Sequence, residues 1–71
     1  MNRIKGLRVM AGLKQEDVAE KFGITTQAYS KKERGVTSFT DNEKIIFRQL
    51  ISSVAPDETV GSIFFNETKT K

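Results

Sequence analysis

The strongest constraint in this sequence is a glycine with apolar residues set at fixed distances on both sides. Val18, Ala19 and Phe22 precede Gly23, and Ile24 and Tyr29 follow it. This spacing suits two short helices joined by a tight turn. Val18 and Phe22 must be apolar to reach a core, and Ala19 must be small because the two helices cross close to it. Gly23 must accept a left-handed backbone, which costs a residue with a Cβ about 1 kcal/mol or more. Ile24 plugs the turn, and Tyr29 packs the second of the two helices down. All six requirements are met in order, whereas a seventh is not, because Lys32 stands where a further apolar residue is usual. An ordinary helical hairpin uses the same kind of turn, but six ordered matches make the signal specific.

The flanking sequence supplies more helices. Residues 2–11 read as a first helix, capped by Asn2, with Ile4, Leu7 and Ala11 on one face. Gly6 is a poor interior residue there, about 1 kcal/mol worse than Ala, and Gly12 is a natural stop. The paired helices run from Gln15 to Phe22 and, capped by Thr25, over about 26–33 to a stop at Gly35. Glu16 and Asp17 sit in the first turn of the earlier one, where the helix dipole favours acid. Thr40-Asp41-Asn42-Glu43 is a capping box that opens a fourth helix. That helix is expected to run to about Val54, burying Ile46, Phe47, Leu50, Ile51 and Val54. Pro56 breaks the chain, and residues 57–64 suit a short fifth helix docking Val60, Ile63 and Phe64. The fold class is all-α, a compact five-helix domain over 1–65 with its motif at about 15–34. Residues 66–71, which have no apolar side chain, are expected to form a flexible tail.

Length and composition narrow the function. A chain of 71 residues buries only about 60% of its unfolded surface, so one core and no deep catalytic cleft are expected. There is no histidine and no cysteine, no phosphate-cradling glycine loop and no paired carboxylates; neither an enzyme nor a cofactor or metal site is expected. The absence of cysteine and of any long apolar run suits a cytoplasmic protein. A net charge of +3 is mild evidence for a polyanionic partner, and Lys31, Lys32 and Arg34 are clustered.

The segment LKQEDVAEKFGITTQAYSKKERG resembles the Cro/CI-type (XRE-like) helix-turn-helix regulators of temperate phages and prophages, and the resemblance extends over about residues 2–65. It implies a lambda-repressor-like domain that dimerises and sets its third helix in the major groove of a double-stranded DNA operator. A complete phage repressor normally carries a second domain, for which 71 residues leave no room. The match is therefore closer to a Cro-like regulator or to a modulator-of-repression protein.

On that resemblance, Thr25, Thr26 and Gln27 open the recognition helix and face base edges. Gln27 is the best base reader, since a carboxamide can bond adenine at N6 and N7. Thr26 suits a thymine methyl or an acceptor, and Ser30 and Lys31 lie one turn on. Gln15 is expected to bond a phosphate at the start of the second helix. Lys14, in place of the usual capping residue, weakens the cap but adds a charge. Arg8 and Glu33 form a half-buried structural ion pair. The loop Val36-Thr37-Ser38-Phe39 is uncharged, leaving Arg34 and the amides near Thr40 for the DNA backbone. Val9 and Met10 point away from the apolar face of the first helix. They are expected either to be scattered exposed residues or to form a protein-contact surface, which opens a second reading: a modulator or antirepressor acting mainly on a sister phage repressor.

Overall fold

Side chains that satisfy free backbone amides set where the helices begin. Asn2 Oδ1 accepts from Lys5 N at 3.1 Å, Thr25 Oγ1 from Ala28 N at 3.1 Å, Thr40 Oγ1 from Glu43 N at 3.1 Å, and Thr59 Oγ1 from Ser62 N at 3.0 Å. Such caps each contribute about 0.5–2 kcal/mol. A computed structural model describes residues 2–64. Over them the chain forms five helices and no strand: α1 (Arg3–Met10), α2 (Gln15–Phe22), α3 (Thr26–Glu33), α4 (Asp41–Ile51) and α5 (Val60–Ile63). Only α2 lacks a side-chain cap of this kind, since an ammonium cannot accept. Asp17 Oδ2 instead accepts from Lys14 N at 2.8 Å, which is half of a capping box.

The turn between α2 and α3 depends on Gly23, whose φ of 75° is left-handed. In that conformation Gly23 N donates to Glu20 O at 3.1 Å and Ile24 N to Ala19 O at 3.0 Å. The paired bonds close the helix end and turn Ile24 back onto the core.

The core is built from Leu7, Val18, Ala19, Tyr29, Phe39, Phe47, Ile51, Ile63 and Phe64. Its centre is Phe39, from the loop read above only as uncharged. Its ring lies 4.9 Å from Phe64, 6.0 Å from Phe22, 6.2 Å from Tyr29 and 6.3 Å from Phe47, mostly in tilted or edge-on geometry. Each such pair contributes about 0.5–1.5 kcal/mol beyond area burial. Phe39 thus ties the α2–α3 pair to α4 and to the end of the described chain.

Three expectations need correction. The fourth helix stops at Ile51 rather than Val54. There Ser52 Oγ bonds back to Gln49 O at 2.9 Å, and Val54 N bonds Ile51 O in a tighter i to i+3 turn. The fifth helix covers Val60–Ile63 rather than 57–64, because Glu58 N closes a turn on Ala55 O and Thr59 caps the helix only beyond it. Ile46 is half-buried rather than core, lying one helical step off the inward row of Glu43, Phe47 and Ile51. The tail expected at 66–71 lies outside the described residues. Val9 and Met10 are exposed, at 57% and 60%.

Replacing Gly23 by Val forces a β-branched residue into left-handed backbone. The expected loss is at least about 1–2 kcal/mol. Each kcal/mol lost lowers the melting temperature of a domain this small by about 4–8 °C. Unchanged thermal unfolding of Gly23→Val would contradict this account of the turn.

Candidate nucleic-acid interface

The residues of α3 divide cleanly between two faces. Tyr29 and Glu33, four apart, are buried, while Thr26, Gln27, Lys31 and Arg34 are exposed and Ser30 is half-buried. Gln27, Ser30, Lys31 and Arg34 fall at i, i+3, i+4 and i+7, a single stripe along the helix. Among the described residues, the side chains of Thr26, Gln27, Lys31 and Arg34 have no hydrogen-bond or ion-pair partner. Thr25, also exposed, spends its hydroxyl oxygen on the helix cap. Gln27 and Lys31 border a shallow groove also lined by Ile24, Ala28 and Thr37.

The buried face converges on one carboxylate. Arg8 Nε donates to Glu33 Oε2 at 2.7 Å and Nη2 to Oε1 at 3.3 Å. The Tyr29 hydroxyl donates to Oε2 at 2.8 Å and Gln15 Nε2 to Oε1 at 2.9 Å. Arg8 Nη1 also donates to Leu13 O at 2.8 Å, and the Asn2 carboxamide donates to the Glu33 backbone carbonyl. The cluster therefore joins α1, α2 and α3, and no buried side-chain nitrogen or oxygen of the described residues is left without a partner. Burial pushes the Glu33 carboxyl up, but the donors from Arg8, Gln15 and Tyr29 outweigh it and hold it below the usual carboxylate range. Burial and then the adjacent carboxylate push the Tyr29 hydroxyl far up, while the bond to Glu33 raises the Arg8 guanidinium.

This geometry changes the part played by Gln15. Its side-chain nitrogen already holds Glu33, so only its second N–H is left for a phosphate. Lys14 is exposed at the start of α2.

Lys32, the one departure from the motif, is explained by a partner. Its Nζ lies 3.1 Å from Glu43 Oε1 and donates to Ser38 O at 2.9 Å. Glu43 Oε1 in turn accepts from Thr40 N at 2.9 Å, within the capping box of α4. Lys32 packs its stem where an apolar residue would sit and turns its charge to the α4 cap. It is thereby withdrawn from the cationic cluster read in the sequence, which leaves Lys31 and Arg34 exposed. Sequence reasoning missed this pair, and it missed Phe39. The signal for Phe39 was present, since it immediately precedes the cap Thr40, where an apolar residue commonly folds back onto the protein.

A family model described as helix-turn-helix matches residues 4–43, more than half of the chain. The chain belongs to the helix-turn-helix family. It is accordingly a DNA-binding transcription regulator. No curated protein and no solved structure matches it. The matched span of this helix-turn-helix protein begins in α1 and ends in the first turn of α4, so it takes in both Arg8 and Glu33 and the Lys32–Glu43 pair. Among the described residues, no helix is long and apolar enough to cross a membrane.

The depressed Glu33 carboxyl sets the sign of a pH effect. Its stabilisation is present above the unfolded carboxylate pKa, about 4.3, and is lost as pH falls through the lower folded value. Glu33→Gln should lose about 3 kcal/mol at neutral pH by leaving Arg8 unpaired, and its remaining stability should vary less below about pH 4.3. Tyr29→Phe should lose about 1.5–3 kcal/mol and show a smaller acid-induced loss than the parent. Urea titrations at pH 7 and below pH 4 check both, and an undiminished acid loss in Glu33→Gln would assign it to another group.

Proposed function

We propose that this protein is a sequence-specific repressor of the Cro type, from a phage or prophage, that sets α3 in the major groove of its operator. The observation that carries the reading is the polar stripe of exposed Gln27, Lys31 and Arg34 with half-buried Ser30 among them, on a helix whose opposite face is anchored by Tyr29 and Glu33. A major groove about 12 Å wide admits one α-helix, and the first residues of that helix meet the base edges. Gln27 reads adenine through its carboxamide, and Thr26 contacts a neighbouring base or thymine methyl. Lys31, one turn further, reaches a guanine or a phosphate. Arg34, Lys14 and the second N–H of Gln15 hold the DNA backbone, with the free amides of the first turn of α2 adding to them. The phage assignment rests on the resemblance of residues 13–35 to Cro-type regulators. A homodimer follows from the same resemblance, and it would read two half-sites about 10 base pairs apart.

Selection from a randomised duplex pool should enrich a two-fold symmetric site. Against that site, Gln27→Ala should lose about 1–3 kcal/mol and relax preference at one position of each half-site. Gln15→Ala should weaken specific and random duplexes alike while leaving the salt dependence of binding nearly unchanged, because a neutral carboxamide neutralises no phosphate. Because Gln15 also holds Glu33, both variants are compared well below their melting temperatures. Failure to enrich any site, or equal loss on specific and random DNA for Gln27→Ala, would overturn base reading by α3.

A further inference from the structure

The outer face of α1 has features that the DNA-binding reading does not use. Gly6 sits in the middle of this helix, where only proline is worse. Apart from its chain neighbours and its own helix backbone, no atom of the described residues lies within 4 Å of the place a Cβ would occupy, so no packing among them requires a glycine. Val9 and Met10, at i+3 and i+4 from Gly6, are 57% and 60% exposed on the same face. At about 100° per residue, Gly6 and Met10 each point about 160° away from Arg8. Arg8 turns inward to Glu33 of α3, so this face is directed away from the recognition helix. A bare backbone flanked by two apolar side chains is a surface that another backbone can approach closely.

Charge narrows what approaches it. α1 carries three cations, Arg3, Lys5 and Arg8, and no acid. Arg8 is neutralised by Glu33 and Arg3 by Glu58. Lys5, four residues before Val9 and therefore beside it, has no side-chain partner among the described residues. A second copy of the chain docking through this face would form a two-fold contact that opposes the same cationic helix to itself. We propose that the Gly6–Val9–Met10 face of α1 docks an amphipathic helix of another protein, with a small or apolar seam seated on Gly6 and an acidic side chain opposite Lys5. Because the face is turned from α3, such a partner binds whether or not DNA is bound.

The test uses the full isotope-labelled chain and two synthetic helical peptides that share one Leu/Ala seam, one flanked by Glu and the other by Lys. The Glu peptide should shift the backbone amides of Lys5 to Met10 but not those of α3, and should bind at least tenfold more tightly than the Lys peptide. Gly6→Leu should weaken Glu-peptide binding at least tenfold while raising the melting temperature, which separates lost docking from lost folding. Val9→Ser with Met10→Ser should weaken it similarly, and Gln27→Ala should leave it unchanged even if DNA reading by α3 proves wrong. Several results would overturn the proposal: no binding of the Glu peptide, equal binding of both peptides, shifts centred elsewhere, or Gly6→Leu binding as tightly as the parent. Light scattering that shows a dimer abolished by Gly6→Leu would replace the partner helix with a second copy.

Discussion

The buried carboxylate of Glu33 is the interaction on which the arrangement of the three N-terminal helices depends. A lone carboxylate in a core is costly, and its burial is tolerable only when its lone pairs are filled. Arg8 from α1, Gln15 from α2 and Tyr29 from α3 fill them together. Each donor comes from a different helix, so the carboxylate is satisfied only when all three helices are in place. Hydrophobic contacts among Leu7, Val18 and Tyr29 supply cohesion without direction. The charged hydrogen bonds supply the direction, because their strength falls steeply with distance and angle.

That distinction matters because α3 spans only eight residues. A helix of this length is marginal by itself in water. Its stability and its angle come from attachments at both ends and along one side. Thr25 caps the start, Glu33 fixes the last turn, Tyr29 enters the aromatic cluster around Phe39, and Lys32 is bound to the cap of α4. What remains unattached is the stripe of Gln27, Lys31 and Arg34. A short helix held this way offers an outer face whose side chains stay free because the inner ones carry the anchoring.

The sequence made the α2–α3 unit legible because its requirements are local. Gly23, Ile24 and the cap Thr25 act within one turn, and their chemistry does not depend on distant residues. The five helices and most of the core followed from periodicity and caps in the same way. What escaped was long-range or competitive. Lys32 looks like a surface cation until Glu43 is brought beside it, eleven residues later in the chain. Phe39 sits in a loop that carries no periodicity, so its burial depends on four rings, from α2, α3, α4 and the end of α5, closing around it. Ser52 and Thr59 shifted helix ends by a few residues because their side chains bond nearby backbone and outbid continued helix. For the candidate site, the polar stripe was readable from the motif. The attachment of Gln15 to Glu33 was not, since it needs the angle between two helices.

The same assignments bear on how such a protein would discriminate between DNA sequences. Of its cations, Arg3, Arg8 and Lys32 are committed to ion pairs with Glu58, Glu33 and Glu43. Lys44 lies 5.7 Å from the centre of the Phe64 ring. Exposed acids, Glu16 and Glu20, stand on α2 next to the start of the proposed interface. On the proposed reading, phosphate attraction therefore has few contributors, chiefly Lys14, Lys31 and Arg34, and non-specific affinity scales with their number. Base contacts discriminate only when they are held in register, because a donor displaced by an ångström bonds the wrong edge or water. On the proposed reading, a chain that commits Arg8 and Lys32 to holding α3 in place, and Arg3 to Glu58, would have a weaker hold on all DNA together. It would thereby raise the share of the binding energy that depends on sequence.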